Sequence, residues 1–320
     1  VSSTTGLSSS GIAQTIDAAE RLPQLNSLIV MRDGETIIAE RFNAGPPLDR
    51  PVNVKSASKS VISALVGIAI ERDILRGTDQ PILSVLGPDA PANSDPRLGE
   101  VTIGNLLSMQ AGLERTSGDN YGRWVTSGDW VGYALAQPFV AEPGGRMLYS
   151  TGSTHLLSAI LTRASGRSTY ELAQDWLATP LDIAIPQWQR DPQGIYFGGY
   201  NMLMSPQGLA RFGELYRMNG MIDGERVLPE GWVEASWTPR TVSPWSGEDY
   251  GYGWFIGEAG GYAVRYAWGY GGQMVFVLPE LALTVVMTSD TDSERGSDHI
   301  GALRRLLAEQ IVPAAEAGAA

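Results

Sequence analysis

Ser56-Ala57-Ser58-Lys59-Ser60-Val61-Ile62-Ser63-Ala64-Leu65-Val66-Gly67-Ile68-Ala69-Ile70 is the stretch on which the fold turns. From Val61 onward it is apolar almost all round, the pattern of a buried helix rather than an amphipathic surface helix. Ser56 falls at the N-terminus of that helix, with Lys59 one turn later on the same face. A Lys in the first turn of a buried helix is costly unless it is paired or used. The pair suits nucleophilic catalysis. Free backbone amides and the helix dipole favour a developing oxyanion, and a desolvated Lys59 can accept the proton of Ser56. In the plainer alternative Ser56 only caps the helix. Lys55 and Lys59 are the only lysines, against 21 arginines. Arg cannot deprotonate in a protein whereas a desolvated Lys can, so catalysis demands Lys where a surface accepts Arg. Burial and the second cation at Lys55 should both depress the Lys59 pKa, and kcat/KM should rise with pH through it.

Before this stretch, residues 10–22 have helical spacing, and two short apolar strands, 27–31 and 36–41, flank Asp33-Gly34, a strong hairpin signal. After it, helices over 57–72, 103–109, 130–135, 154–164, 169–177, 206–218 and 229–237 are separated by Gly/Pro-rich connections. Strands at 252–256, 262–267, 273–278 and 283–288 precede a last helix from about 297 to 311, and the Ala-rich tail 313–320 is expected to fray. Strands at both ends with helices between them predict an α/β (α+β) fold. One antiparallel sheet flanked by helices is built from 1–55 and 238–320, a mostly helical domain over 56–237 is inserted, and the active site lies at their junction.

Composition narrows the function. With 320 residues, 43% hydrophobic and 18% charged, the chain is globular, with two lobes or one large two-layer unit. A net charge of -12 and no run of Lys or Arg exclude nucleic acid as a partner. The longest apolar run, 61–70, is far short of a membrane span. Zero cysteines exclude a disulfide framework, a thiol nucleophile and thiolate metal sites. His155 and His299 are the only histidines, no H-E-x-x-H occurs, and neither a metal nor a cofactor is implied. A Ser-His-Asp triad would need one of those two, and there is no G-x-S-x-G elbow. His155 reads as a packed or capping histidine, and His299 opens the last helix. The start at Val1 reads as a processed or trimmed end of a soluble chain, cytoplasmic or exported.

Ser56-x-x-Lys59-Ser60, Pro143-Gly144-Gly145-Arg146-Met147-Leu148-Tyr149-Ser150-Thr151 and Trp268-Gly269-Tyr270-Gly271-Gly272-Gln273 together resemble the three motifs of the serine β-lactamase and penicillin-binding-protein superfamily. The likeness is strongest to its branch of carboxylesterases and 6-aminohexanoate-dimer hydrolases. It extends from about Leu28 to Ile311, supported by Leu106-Leu107-Ser108-Met109-Gln110-Ala111-Gly112-Leu113, Leu209-Ala210-Arg211-Phe212-Gly213 and Val277-Leu278-Pro279-Glu280-Leu281.

The resemblance implies a β-lactamase/transpeptidase-like fold, with Ser56 as nucleophile, Lys59 as its base and Tyr149 as a second acid/base group. Tyr149 could serve as a base only if nearby cations lowered its phenol pKa from about 10, Lys59 being the obvious candidate. The oxyanion hole would be the N–H groups of Ser56 and Tyr270, with Gly271 one residue away. Two departures argue against efficient β-lactamase or D,D-peptidase activity: no Lys or His stands on the third-motif strand, and Thr151 replaces the usual Asn. Both are tolerated in the esterase and amidase branch.

Tyr121, Trp124, Trp188, Tyr196, Tyr200 and Trp268 fall where they could line an apolar pocket, and the resemblance implies that Tyr121 sits near the nucleophile. Trp232, Trp237 and Trp245 read as structural, and Asp119, Asp129 and Asp191 as loop caps. The expectation is a serine hydrolase acting on a small ester or neutral amide, with Ser56, Lys59 and Tyr149 catalytic and Tyr121, Thr151, Trp188, Trp268 and Gly271 touching substrate. Its rivals are a penicillin-recognising enzyme in which Arg265 replaces the missing cation, and a catalytically silent binding protein of the same fold.

Overall fold

Asp33 and Gly34 both take positive φ, 48° and 82°, the geometry of a two-residue turn that matches strand twist. In the computed structural model, which describes residues 6–292 and 298–318, this turn joins β1 (Leu25–Arg32) to β2 (Glu35–Arg41). Two short antiparallel pairs stand apart from the main sheet: β3 (Val52–Asn53) with β4 (Leu203–Met204), and β5 (Met221–Ile222) with β6 (Glu225–Arg226). The remaining strands are β7 (Thr241–Val242), β8 (Asp249–Tyr250), β9 (Phe255–Ala259), β10 (Tyr262–Gly269), β11 (Gln273–Leu278) and β12 (Leu283–Ser289). They complete an eight-stranded antiparallel sheet in the order β2-β1-β12-β11-β10-β9-β8-β7. The N-terminal hairpin therefore closes against the last strand, as strands at both chain ends require.

β11 and β12 are buried on both faces, which is why they read as continuous apolar runs. Val275, Val277 and Val286 face a core shared with α2 (Ser58–Glu71) and the helix Pro206–Arg217, while Met274, Phe276, Val285 and Met287 face the last helices. Twelve of the fourteen α2 residues are buried. The helix is held by apolar contact on every side, as its sequence dictates.

Three expectations about elements change. The strand expected at 252–256 begins at Phe255, because Ser60 Oγ and Ser63 Oγ donate from α2 to the carbonyls of Gly253 and Tyr252. That segment therefore docks on the helix instead of joining the ladder. The Ala-rich tail does not fray within the described residues: Val312–Gly318 is helical, with Val312, Ala314 and Ala315 buried. Its small side chains let it lie close to α1 (Ser9–Glu20), and Arg32 Nη1 donates to Ala315 O. The expected 169–177 helix runs on through a wide turn, Gln174–Ala178, to Leu181.

Candidate active site

Ser56 occupies a tight turn, Lys55–Ala57, that runs directly into α2. Lys55 before it has φ 51°, an uncommon conformation for a non-glycine residue, and its N–H donates to Asn53 Oδ1. The Ser56 hydroxyl caps nothing. The residue preceding α2 makes no side-chain cap, and Ser58 Oγ closes the turn by donating to Lys55 O. The capping alternative for Ser56 therefore fails, and its Oγ is free for Lys59.

Lys59 is 1% exposed, with Nζ 2.8 Å from Ser56 Oγ, 2.9 Å from Gly199 O and 3.2 Å from Thr151 Oγ1. Gly199 O can only accept, so one N–H points there, and a second is directed at Thr151 Oγ1. In the neutral amine this leaves the lone pair facing Ser56. Burial lowers the Lys59 pKa to about 7. It suffices without the expected help from Lys55, whose ammonium lies 5.6 Å from the centre of the Tyr200 ring.

Tyr149 flanks the pair, stacked at 6.2 Å on Phe255 and meeting Trp245 edge-on at 5.4 Å. Its pKa departs from expectation: burial raises it to about 12, only partly offset by hydrogen bonding with Ser56 and by the charge of Arg115. Lys59 Nζ stands over the Tyr149 ring, 4.9 Å from its centre. The phenol therefore keeps its proton near neutral pH and is a hydrogen-bond donor, not a phenolate base.

The stretch supporting the second motif has a mechanical role. Gln110 Nε2 donates to the carbonyls of Gly144 and Gly145, Leu148 N–H to Met109 O, and Thr116 N–H to Ser150 Oγ. These bonds fix the backbone on either side of Tyr149. The third motif is held by close approach: a Cβ on Gly269 would lie 2.1 Å from Val54 O, so only glycine lets β10 pass this near the Ser56 turn. Gln273 and Ser289 exchange two hydrogen bonds, and Ser289 Oγ donates to Gly272 O while accepting from His299 Nε2. Tyr270 lies in the turn beyond β10, 54% exposed, and among the described residues its N–H has no protein acceptor.

The remaining assignments divide. Tyr121 meets Tyr200 edge-on at 5.8 Å, and burial with nearby Tyr121 and Tyr270 raises the Tyr200 pKa to about 12. Gly271 takes φ 83° in the Tyr270 turn. Thr151 is engaged with Lys59 and Ser117. Trp188 is buried, donating to Phe197 O and packing on Tyr196. Trp268 packs on Phe255 among side chains of the opposite core. Trp124 and Tyr196 are core residues. Trp245, expected to be structural, is 48% exposed beside Tyr149 and belongs to the rim. Arg265 is engaged elsewhere: its guanidinium lies 5.8 Å from the Trp237 ring, and burial lowers its pKa against the charge of Glu280. Gly199 and Ser117 were unmarked in the sequence because a backbone carbonyl and a common serine carry no pattern. Among the described residues no group of three or more acidic or histidine side chains is placed to hold a metal. No described helix is long and apolar enough to cross a membrane.

Comparison with known proteins places the chain in a family. The beta-lactamase family profile matches residues 16–310, and the chain belongs to that family. A 6-aminohexanoate-dimer hydrolase of Paenarthrobacter ureafaciens is 26% identical over 248 residues, covering 68% of this chain and 60% of the relative. The chain thus spans less than two thirds of that relative's length. Among solved structures, EstCE1, a hydrolase with promiscuous acyltransferase activity, superposes with TM-score 0.74 at 19% identity, covering 93% of this chain and 96% of its own. The octameric penicillin-binding protein homologue from Pyrococcus abyssi superposes with TM-score 0.71 at 20% identity, covering 95% and 76%. These likenesses establish the β-lactamase/transpeptidase-like fold.

Proposed function

We propose that the chain is a serine hydrolase that forms an acyl-enzyme on Ser56 and cleaves a small carboxylic ester or a neutral amide, as a carboxylesterase or a 6-aminohexanoate-dimer-hydrolase-like amidase does. The site lies where the helical segment 56–237 meets the sheet-bearing segments 1–55 and 238–320. One observation carries the reading: a buried lysine with its pKa near 7, two hydrogens engaged elsewhere and its nitrogen 2.8 Å from a serine hydroxyl.

Ser56 Oγ bonds to the substrate carbonyl carbon as its proton passes to Lys59 Nζ. The negative oxygen is received by the N–H groups of Ser56 and Tyr270. As the intermediate collapses, the leaving alcohol or amine takes the proton carried by Lys59, its departing atom held by a hydrogen bond from the Tyr149 hydroxyl. Water then adds to the acyl-enzyme, giving a proton to Lys59; release of the acid returns that proton to Ser56. Preference for neutral substrates follows from the missing third-motif cation and from a rim of Tyr121, Tyr200, Trp245 and Tyr270.

The test is intact mass after brief mixing with p-nitrophenyl butyrate, with p-nitrophenol release and nitrocefin turnover, for wild type and Ser56→Ala. A transient butyryl adduct absent from Ser56→Ala, with little nitrocefin hydrolysis, is the expected result. Fast nitrocefin turnover would favour a penicillin-recognising enzyme. No adduct with either probe would favour a silent binding protein.

A further inference from the structure

His155 is wholly buried in the helix Thr151–Ser165, enclosed by the rings of Trp124, Trp130 and Phe197. Its two ring nitrogens have different partners. Nδ1 accepts from the Gly198 N–H at 3.1 Å, and Nε2 lies 2.9 Å from Asp191 Oδ2. Because a backbone N–H can only donate, Nδ1 must be bare, so the proton sits on Nε2 and is donated to Asp191. Asp191 is equally buried, and its other oxygen accepts from the N–H groups of Gln193 and Ile195. The loop is pressed against the helix: a Cβ on Gly198 would lie 2.3 Å from Thr154 O. The next residue, Gly199, gives Lys59 its carbonyl acceptor, and Tyr200 after it meets Tyr121.

We propose that His155 and Asp191 are positioning residues that clamp the 191–200 loop so that Gly199 O holds Lys59 with its lone pair on Ser56. The proposal rests on the reading of Lys59 as base. It makes Asp191 a setter of the His155 tautomer, beyond a loop cap. The groups facing Lys59 Nζ are Ser56, Thr151, Gly199 O and the rings of Tyr149 and Tyr200, with no carboxylate among those contacts. Loss of the Gly199 contact therefore removes a group that favours the ammonium form, and the Lys59 pKa falls further.

Asp191→Asn tests this with almost no change in volume. The two backbone donors claim the Asn oxygen, so its NH2 faces His155 Nε2, which must then accept. The proton moves to Nδ1 and opposes the Gly198 N–H. The readout is direct because the chain has only two lysines. Lysine-selective 13C labelling gives two Cε signals, the Lys55 signal being the one that disappears in Lys55→Arg, and the Lys59 signal is titrated in each variant. In Asp191→Asn the Lys59 midpoint should fall by about half a pH unit or more, and kcat by about tenfold with KM little changed. In His155→Asn, whose Oδ1 can replace Nδ1 as acceptor for Gly198, the midpoint should stay near wild type. If Asp191→Asn does not fold, His155→Gln, which keeps the Asp191 contact but not the Gly198 one, should show the same fall. A wild-type midpoint in Asp191→Asn, or equal shifts in Asp191→Asn and His155→Asn, would overturn the clamp. If wild type forms no acyl adduct, the hydrolase reading fails alone, because the lysine titration needs no turnover.

Discussion

Ser56 stands between two walls that are held by different means. On the helical side, polar side chains are matched one by one: Lys59 has three partners, and His155 is fixed at both ring nitrogens. On the sheet side, the β10–β11 turn is held by Gln273, Ser289 and His299, and it presents backbone N–H groups beneath an exposed Tyr270. In the proposed mechanism the first wall sets protonation and aim, so small changes in its hydrogen-bonding groups should abolish chemistry. In the same mechanism the second supplies amides that any side chain can carry, so most substitutions there should alter substrate choice.

The largest effect should come from breaking the first wall at Lys59. Lys59→Arg keeps the charge but cannot accept a proton, and kcat should fall by about a thousandfold or more. In wild type the neutral fraction of Lys59 grows with pH, so kcat/KM should climb about tenfold per unit below its midpoint near 7 and level off above it. A profile flat from about pH 5 to 9, or an active Lys59→Arg, would remove Lys59 from the mechanism.

The joint between the walls should be next in sensitivity. Gly269→Ala would place a methyl 2.1 Å from Val54 O, a backbone atom that cannot rotate away. β10 must then lift from the Ser56 turn and separate the two proposed oxyanion donors, lowering kcat by about a hundredfold. Steady-state kinetics with p-nitrophenyl butyrate decide it: an unchanged kcat would mean that Tyr270 N–H takes no part.

Much of the first wall was legible because its signal is local. A serine three residues before a lysine, leading into a run apolar on all faces, fixes one turn of helix geometry without tertiary information. The sheet was legible from Asp33-Gly34 and from strands at both chain ends. What escaped depends on distant partners. The carbonyl that holds Lys59 comes from 140 residues away and has no side chain to mark it. The direction of the Tyr149 shift turned on whether Lys59 meets the oxygen or the ring, which no spacing encodes. The start of β9 moved because Ser60 and Ser63 bind the chain ahead of it, and the tail packs because its alanines are small.

The smallest effect should come from the second wall's own histidine, and it concerns stability. His299 is 7% exposed, and burial lowers its pKa below the usual 6.5. The fold therefore keeps it neutral while the unfolded chain takes up a proton on it. Between the two pKa values the unfolded state binds more protons, so this contribution is present above about pH 6.5 and is lost as pH falls below it. His299→Gln can still donate to Ser289 Oγ but does not titrate. The drop in Tm between pH 7.5 and 5.5 should accordingly be smaller in His299→Gln than in wild type. Equal drops in both proteins would mean that His299 titrates alike folded and unfolded. The sheet-side wall would then be as indifferent to acid as its backbone hydrogen bonds.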